Sequence, residues 1–274
     1  MDKIILLLKY ILLGLVQGFT EPLPISSSGH LVLFEEFLNI SLADLNFEIF
    51  VNAGSLIAIV FFYRKFLMQL IIKTFKFVFK KETEYKKDFI YVLLLILGVI
   101  PAGIVGFFFK SYIETTLKSV VVVGFTLLIT SIALNLVAKK VESEDAKEDI
   151  DVKDATTIGL FQMVALIPGI SRSGATMVGG LSRNVKFEET MRFSFLLYIP
   201  ISLAALILGI IEFNTRTAYV PGYIAGFIVS MISTYVAIKV LFKVVKQGNL
   251  KYFSIYCMVV GILVLVANFV GGVV

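Results

Sequence analysis

Apolar residues gather in long uncharged runs, with polar residues confined to the segments between them. Such runs cover Phe89 to Phe109, Val120 to Ala138, Phe193 to Ile211, Ala218 to Ile238 and Tyr252 to Val274. Each approaches or exceeds the roughly 20 residues that a helix needs to cross a bilayer. Ile49 to Tyr63 is a shorter sixth candidate that depends on its flanks. An outer-membrane barrel would instead show alternation over segments of about ten residues. The pattern therefore predicts an all-α polytopic membrane protein with six full transmembrane helices.

A second pattern is internal. Shifted by 145 residues, Gly14 to Gly29 (GLVQGFTEPLPISSSG) aligns without a gap on Gly159 to Gly174 (GLFQMVALIPGISRSG). Identities fall at Gly14/Gly159, Leu15/Leu160, Gln17/Gln162, Ile25/Ile170, Ser26/Ser171, Ser28/Ser173 and Gly29/Gly174. Chance likeness between apolar helices matches Leu with Val, whereas shared Gln and Ser-x-Ser-Gly point to a duplication. Repeat one is expected over about residues 1–138, a charged linker over about 139–154 and repeat two over about 155–274.

Loop charge orients the spans, because Lys and Arg accumulate on the cytoplasmic side. Arg64 to Lys87 carries eight basic residues, Lys139 to Lys153 four and Lys239 to Lys251 four, against two in Lys110 to Lys118 and one in Glu212 to Thr217. With the richer loops inside, all six spans alternate, and residues 1–46 and 155–182 each begin and end on one side. Those two segments hold the duplicated motif, and each is expected to be a re-entrant helical hairpin broken near its middle. The odd number of spans after the first hairpin inverts the second, so the tips should meet near the midplane. Both termini are then extracytoplasmic.

The linker KKVESEDAKEDIDVKD reads as a solvated loop. Phe66 to Phe79, with Lys73 and Lys76, reads as an interfacial amphipathic helix. Gly222 and Gly226 could pack helices closely, and a homodimer is possible.

Composition agrees with this: of 274 residues 58% are hydrophobic and 16% charged, with a mean hydropathy of +0.93, where soluble domains carry roughly a quarter charged. The net charge of +5 belongs to the loops, so membrane lipids rather than nucleic acid are the expected surroundings. The single Cys257 permits no intramolecular disulfide and lies in an apolar run, where packing accounts for it. Lys3 and Lys9 precede an apolar stretch without a small-x-small cleavage site, so the N-terminus is read as mature structure.

Chemistry concentrates at the two breaks. Pro22 and Pro24 interrupt the first hairpin and Pro168-Gly169 the second. SSSGH and SRSGAT then start the returning helices, each presenting free amides and the positive end of a helix dipole. With Arg172 beside them, Ser26, Ser28, Ser171, Ser173, Gly174 and Thr176 make a receptor for phosphate or diphosphate. Glu21 is the only formal charge from Tyr10 to Phe34, and His30 the only histidine. Mutual neutralisation of Glu21 and Arg172 explains the pair but not its polar company. Ser27 and His30, three residues apart, are candidates for nucleophile and acid or base. Glu21 would orient His30 or, with Gln17 one turn earlier, hold a divalent cation, magnesium or calcium. Arg172 would neutralise developing phosphoryl charge.

At these residues the chain resembles the undecaprenyl-diphosphate phosphatases, also called bacitracin-resistance proteins. QGFTEPLPISSSGH follows that family's Glu/Gln-x-x-x-Glu and Pro-x-Ser-Ser-x-Gly-His pattern, and PGISRSGAT its Pro-Gly-x-Ser-Arg-Ser-Gly-x-Thr. The resemblance implies hydrolysis of undecaprenyl diphosphate to the monophosphate carrier lipid for cell-wall synthesis. It also implies a plasma-membrane location, interdigitated inverted repeats and dependence on a divalent cation. Site roles carry over to Glu21, Ser27, His30, Ser171, Arg172, Ser173 and Thr176. Gln17 stands where the family admits Glu or Gln, so a cation would meet one carboxylate fewer. The rival reading is an alternating-access transporter or flippase for a phosphorylated lipid or other anion, which needs Arg172 and the dipoles but not a Ser27/His30 pair.

Overall fold

The computed structural model describes residues 3–38, 45–143, 145–212 and 219–271, and among them the regular elements are helices. In chain order they are α1 (Lys3–Thr20), α2 (Ser27–Phe37), α3 (Leu45–Phe62), α4 (Arg64–Lys80), α5 (Lys86–Tyr112), α6 (Val120–Val137), α7 (Val152–Val164), α8 (Arg172–Ser182), α9 (Phe187–Glu212), α10 (Val220–Lys246) and α11 (Leu250–Gly271). The expected loop Glu212 to Thr217 falls largely outside the described residues, as do the ends of the spans drawn from Ala218 and to Val274.

Among the described residues six helices are long and apolar enough to cross a membrane: Lys3–Thr20, Thr83–Phe109, Val120–Val141, Phe187–Ile211, Val220–Lys246 and Leu250–Val270. Their outward faces are apolar, with Phe107, Leu136 and Phe269 among the most exposed side chains. Only 17% of the α5 and α11 windows is buried, so these two helices need hydrocarbon rather than water around them. Five of the six expected spans thus appear as single helices. The sixth is α3, which ends in a 71° bend into α4. α4 shows one buried residue, Leu70, as an interfacial helix would.

α1 is longer than the short arm expected, since its 18 residues reach about 27 Å. It nevertheless reverses into α2, whose C-terminal Leu38 carbonyl accepts from Lys9 Nζ at 2.8 Å. α7 reverses into α8 in the same way, with Arg183 Nε 3.2 Å from Asp154 Oδ1. The open ends of the two hairpins lie at opposite ends of α5. Glu35, on the last turn of α2, pairs with Lys118 just beyond α5, whereas Asp149, just ahead of α7, pairs with Lys87 at its start.

The glycines shared by the two motifs have a packing cause. A Cβ on Gly14 would lie 2.4 Å from the Gly226 carbonyl oxygen, and one on Gly159 would lie 2.6 Å from that of Gly98. Each hairpin's first arm therefore meets a long helix, α10 or α5, backbone to backbone. Gly222 and Gly226 likewise face Tyr10 and Phe47 of the same chain. Their small size serves packing within the chain.

The linker is more tightly held than a solvated loop. Asp154 is fully buried and paired with Lys147 at 2.6 Å and Arg183 at 3.2 Å. Asp151 caps α7 in a reciprocal capping box with Asp154. Cys257 packs in the main core beside Leu23, Val123 and Leu127.

Candidate active site

Each hairpin tip is built by the same local chemistry. Proline halts the first arm, and a serine caps the returning helix: Ser26 Oγ accepts from Gly29 N at 3.2 Å, and Ser171 Oγ from Gly174 N at 3.0 Å. Each capped serine also approaches the hydroxyl two residues on, Ser28 at 3.4 Å and Ser173 at 3.2 Å. The repeated Ser-x-Ser-Gly is thus a cap that supplies hydroxyls. Gly169, at φ 87°, lies so close to α6 that a Cβ would fall 1.9 Å from Thr126 Oγ1.

The tips interlock. Ser173 Oγ donates to the Leu23 carbonyl at 2.9 Å, and a Cβ on Gly29 would lie 3.0 Å from Gly169 Cα. The N-termini of α2 and α8, helices of 11 residues each, are thereby brought together with their dipoles' positive ends at the junction.

Glu21 is the junction's anion and is buried. Arg172 Nη2, from the other hairpin, donates to its Oε1 at 2.8 Å, Gln17 Nε2 donates to its Oε2 at 3.1 Å, and the Ser27 hydroxyl donates to Oε2 as well. Arg172 is fixed from α9: its guanidinium lies 4.1 Å over the Tyr198 ring, and Nη1 reaches the Ser194 carbonyl at 3.4 Å. Tyr198 is anchored on the Asn52 carbonyl at 3.1 Å, and Ser194 Oγ meets Thr176 Oγ1 at 2.5 Å. Ser194 and Tyr198 were not legible as site residues. Their signal, two polar groups one turn apart in an apolar run, is common in any span.

His30 stands apart from this knot. Its Nδ1 lies 2.8 Å from the Ser26 carbonyl and its Nε2 2.7 Å from the Tyr256 hydroxyl. Glu21 therefore does not orient His30: its oxygens are taken by Gln17, Ser27 and Arg172. Ser26 and Tyr256 hold the imidazole.

The two copies differ where chemistry resides. The repeat register sets Glu21 against Leu166, Ser27 against Arg172 and His30 against Ala175. Gln162, the counterpart of Gln17, has Leu166 in place of a carboxylate partner, and both its amide atoms are buried without a hydrogen-bond partner.

The chain matches the family described as "Bacitracin resistance protein BacA" over residues 10–263. It belongs to the BacA family. "Undecaprenyl-diphosphatase 2" of Bacillus thuringiensis (strain Al Hakam) is 44% identical over 270 residues, covering 97% of this chain and 99% of the relative. "Undecaprenyl-diphosphatase" of Oceanobacillus iheyensis is 45% identical over 270 residues, covering 95% and 96%. "Undecaprenyl-diphosphatase 1" of Halalkalibacterium halodurans is 43% identical over 264 residues, covering 95% and 96%.

A divalent cation at this BacA site would find two side chains with oxygen to offer, Glu21 and the Gln17 amide. Among the described residues no three His, Cys, Asp or Glu side chains converge. Glu21 is already held by a guanidinium and two further donors, so a cation here would take its remaining oxygens from the diphosphate and water.

Proposed function

We propose that this chain is a multi-pass membrane phosphatase that hydrolyses undecaprenyl diphosphate to undecaprenyl phosphate, returning the carrier lipid to cell-wall polymer synthesis. Membership of the BacA family, and relatives named undecaprenyl-diphosphatase that match nearly its whole length, support the reaction. The observation that carries the mechanism is the grip on Glu21, by Ser27 from its own hairpin and by Arg172 from the other. A hydroxyl bonded to a carboxylate is a nucleophile with its base.

The diphosphate sits at the junction of α2 and α8, its oxygens taken by the helix N-terminal amides, Ser26, Ser28, Ser171, Ser173, Gly174, Thr176 and the Arg172 fork. Ser27 Oγ forms a bond to the terminal phosphorus and gives its proton to Glu21. The bond from that phosphorus to the bridging oxygen breaks, and undecaprenyl phosphate leaves with the electron pair. Arg172 stabilises the equatorial oxygens in the transition state. Water, losing a proton to His30 Nε2, then attacks the seryl phosphate, and the bond from phosphorus to Ser27 Oγ breaks as Glu21 returns its proton to Oγ, releasing inorganic phosphate. Glu21 and Gln17 are the side chains that would hold a magnesium or calcium ion against the diphosphate, where it would offset phosphate charge.

The hairpins enter from opposite leaflets, the first from outside, and the pocket opens to the outer face of the plasma membrane. A transporter would have no use for a serine bonded to a carboxylate at the point of anion binding. The test is phosphate release from undecaprenyl diphosphate by the purified protein. Wild type should release it and Ser27→Ala should not, whereas equal release by both overturns the mechanism.

A further inference from the structure

We propose that Tyr256 is a positioning residue for His30, fixing the plane of the imidazole and keeping Nε2 as its reactive lone pair. The proposal deepens the phosphatase reading and rests on it. A backbone carbonyl only accepts, so the 2.8 Å contact with Ser26 O places the proton on Nδ1 and leaves Nε2 as an acceptor. The Tyr256 hydroxyl donates to that lone pair at 2.7 Å. The two rings also stack, 13° from parallel with centroids 5.6 Å apart.

Both sides of this contact are held rigidly. Ser26 adopts φ 71°, a conformation that non-glycine residues rarely take, and its carbonyl there receives both the His30 N–H, at 3.2 Å, and Nδ1. On α11, Ser254 and Ser131 exchange hydrogen bonds of 2.7 and 2.8 Å about two turns before Gly261 abuts the Gly124 carbonyl. Cys257, next to Tyr256, points its thiol at the Pro24 carbonyl at 3.8 Å. α11 therefore spans from its seam with α6 to the first hairpin tip. Tyr256 is itself 41% exposed, so its ring is not there to fill the core.

In the reaction the attacking water would displace the Tyr256 hydroxyl from the one Nε2 lone pair, meeting a ring whose plane and tautomer are already set, while the serine step proceeds without Tyr256. Its removal should therefore lower turnover and leave substrate binding nearly unchanged. Tyr256→Phe keeps the stacked ring and deletes only the hydroxyl. The chain has one histidine, so selective nitrogen-15 labelling gives an NMR readout of His30 alone.

Measured where the imidazole is neutral, wild type should show a protonated Nδ1 and a hydrogen-bonded Nε2. In Tyr256→Phe the Nε2 resonance should move toward that of a free acceptor nitrogen. Alongside, kcat should fall about tenfold, as when a partner that orients a reacting histidine is lost, with KM within about threefold of wild type and an unchanged melting temperature. An unmoved Nε2 resonance, or wild-type kcat in the variant, overturns the role of Tyr256 and leaves the phosphatase reading standing. A wild-type protein that hydrolyses no lipid diphosphate overturns that reading and the role of Tyr256 with it, even if the resonance moves.

Discussion

Arg172 Nη2 and Glu21 Oε1 lie 2.8 Å apart although 151 residues separate them in the chain. A buried ion pair formed across so long a loop contributes little net stability, because desolvation offsets the attraction. Its value here is that each hairpin supplies what the other lacks: the first has Glu21, Ser27 and His30, and the second Arg172 and a second helix N-terminus.

Arg172→Lys keeps a cation but loses the planar fork and the stacking on Tyr198. kcat/KM for lipid diphosphate should fall on the order of 10²-fold, the usual loss when a transition-state donor is removed. Steady-state kinetics alongside a melting curve separates this from unfolding.

Ser26 and Ser27 are neighbours with separable roles. Ser26→Ala removes the α2 cap and should destabilise the protein by about 1 kcal/mol. Ser27 holds no cap, so Ser27→Ala should melt close to wild type while hydrolysis drops on the order of 10³-fold. Similar melting losses in both variants would mean the roles are not divided this way.

Gly14→Ala and Gly159→Ala place a methyl group against the backbones of α10 and α5. Overpacking of this kind costs about 1–3 kcal/mol. Lower melting temperatures and reduced yields are expected for both, whereas Gly103→Ala, where a Cβ meets nothing within 4 Å, should be neutral.

Asp151 gives the pH dependence. The Asp154 backbone N–H, followed by Lys147, holds its carboxyl at about 2, below the ordinary 3.8. Because the folded value is depressed, its stabilisation is complete above the ordinary value and disappears as pH falls through about 2. The melting-temperature gap between wild type and Asp151→Ala should be constant from neutral pH down to the ordinary value and close below it.

The spans and breaks were legible because hydrocarbon imposes long uncharged runs and because Pro22, Pro24 and Pro168 cannot continue a helix. The tip contacts followed from the repeat, since Ser-x-Ser-Gly is a cap before it is anything else. What escaped was partner choice. Nothing in the sequence distinguishes Tyr256 from the ten other tyrosines, and the pairing of Glu21 with Ser27 rather than His30 depends on how the turn at Pro22 and Pro24 folds back. Asp154 escaped because a buried acid within a charged linker has the same local pattern as a solvated one.

The shared pocket is tested most directly by a double-mutant cycle on kcat/KM with Glu21→Gln, Arg172→Lys and the pair together. If the two hairpins build one phosphoryl site, each single change costs on the order of 10²-fold and the double variant loses little more, because coupled groups are not additive. Losses that multiply to about 10⁴-fold would place Glu21 and Arg172 in independent roles and contradict the account.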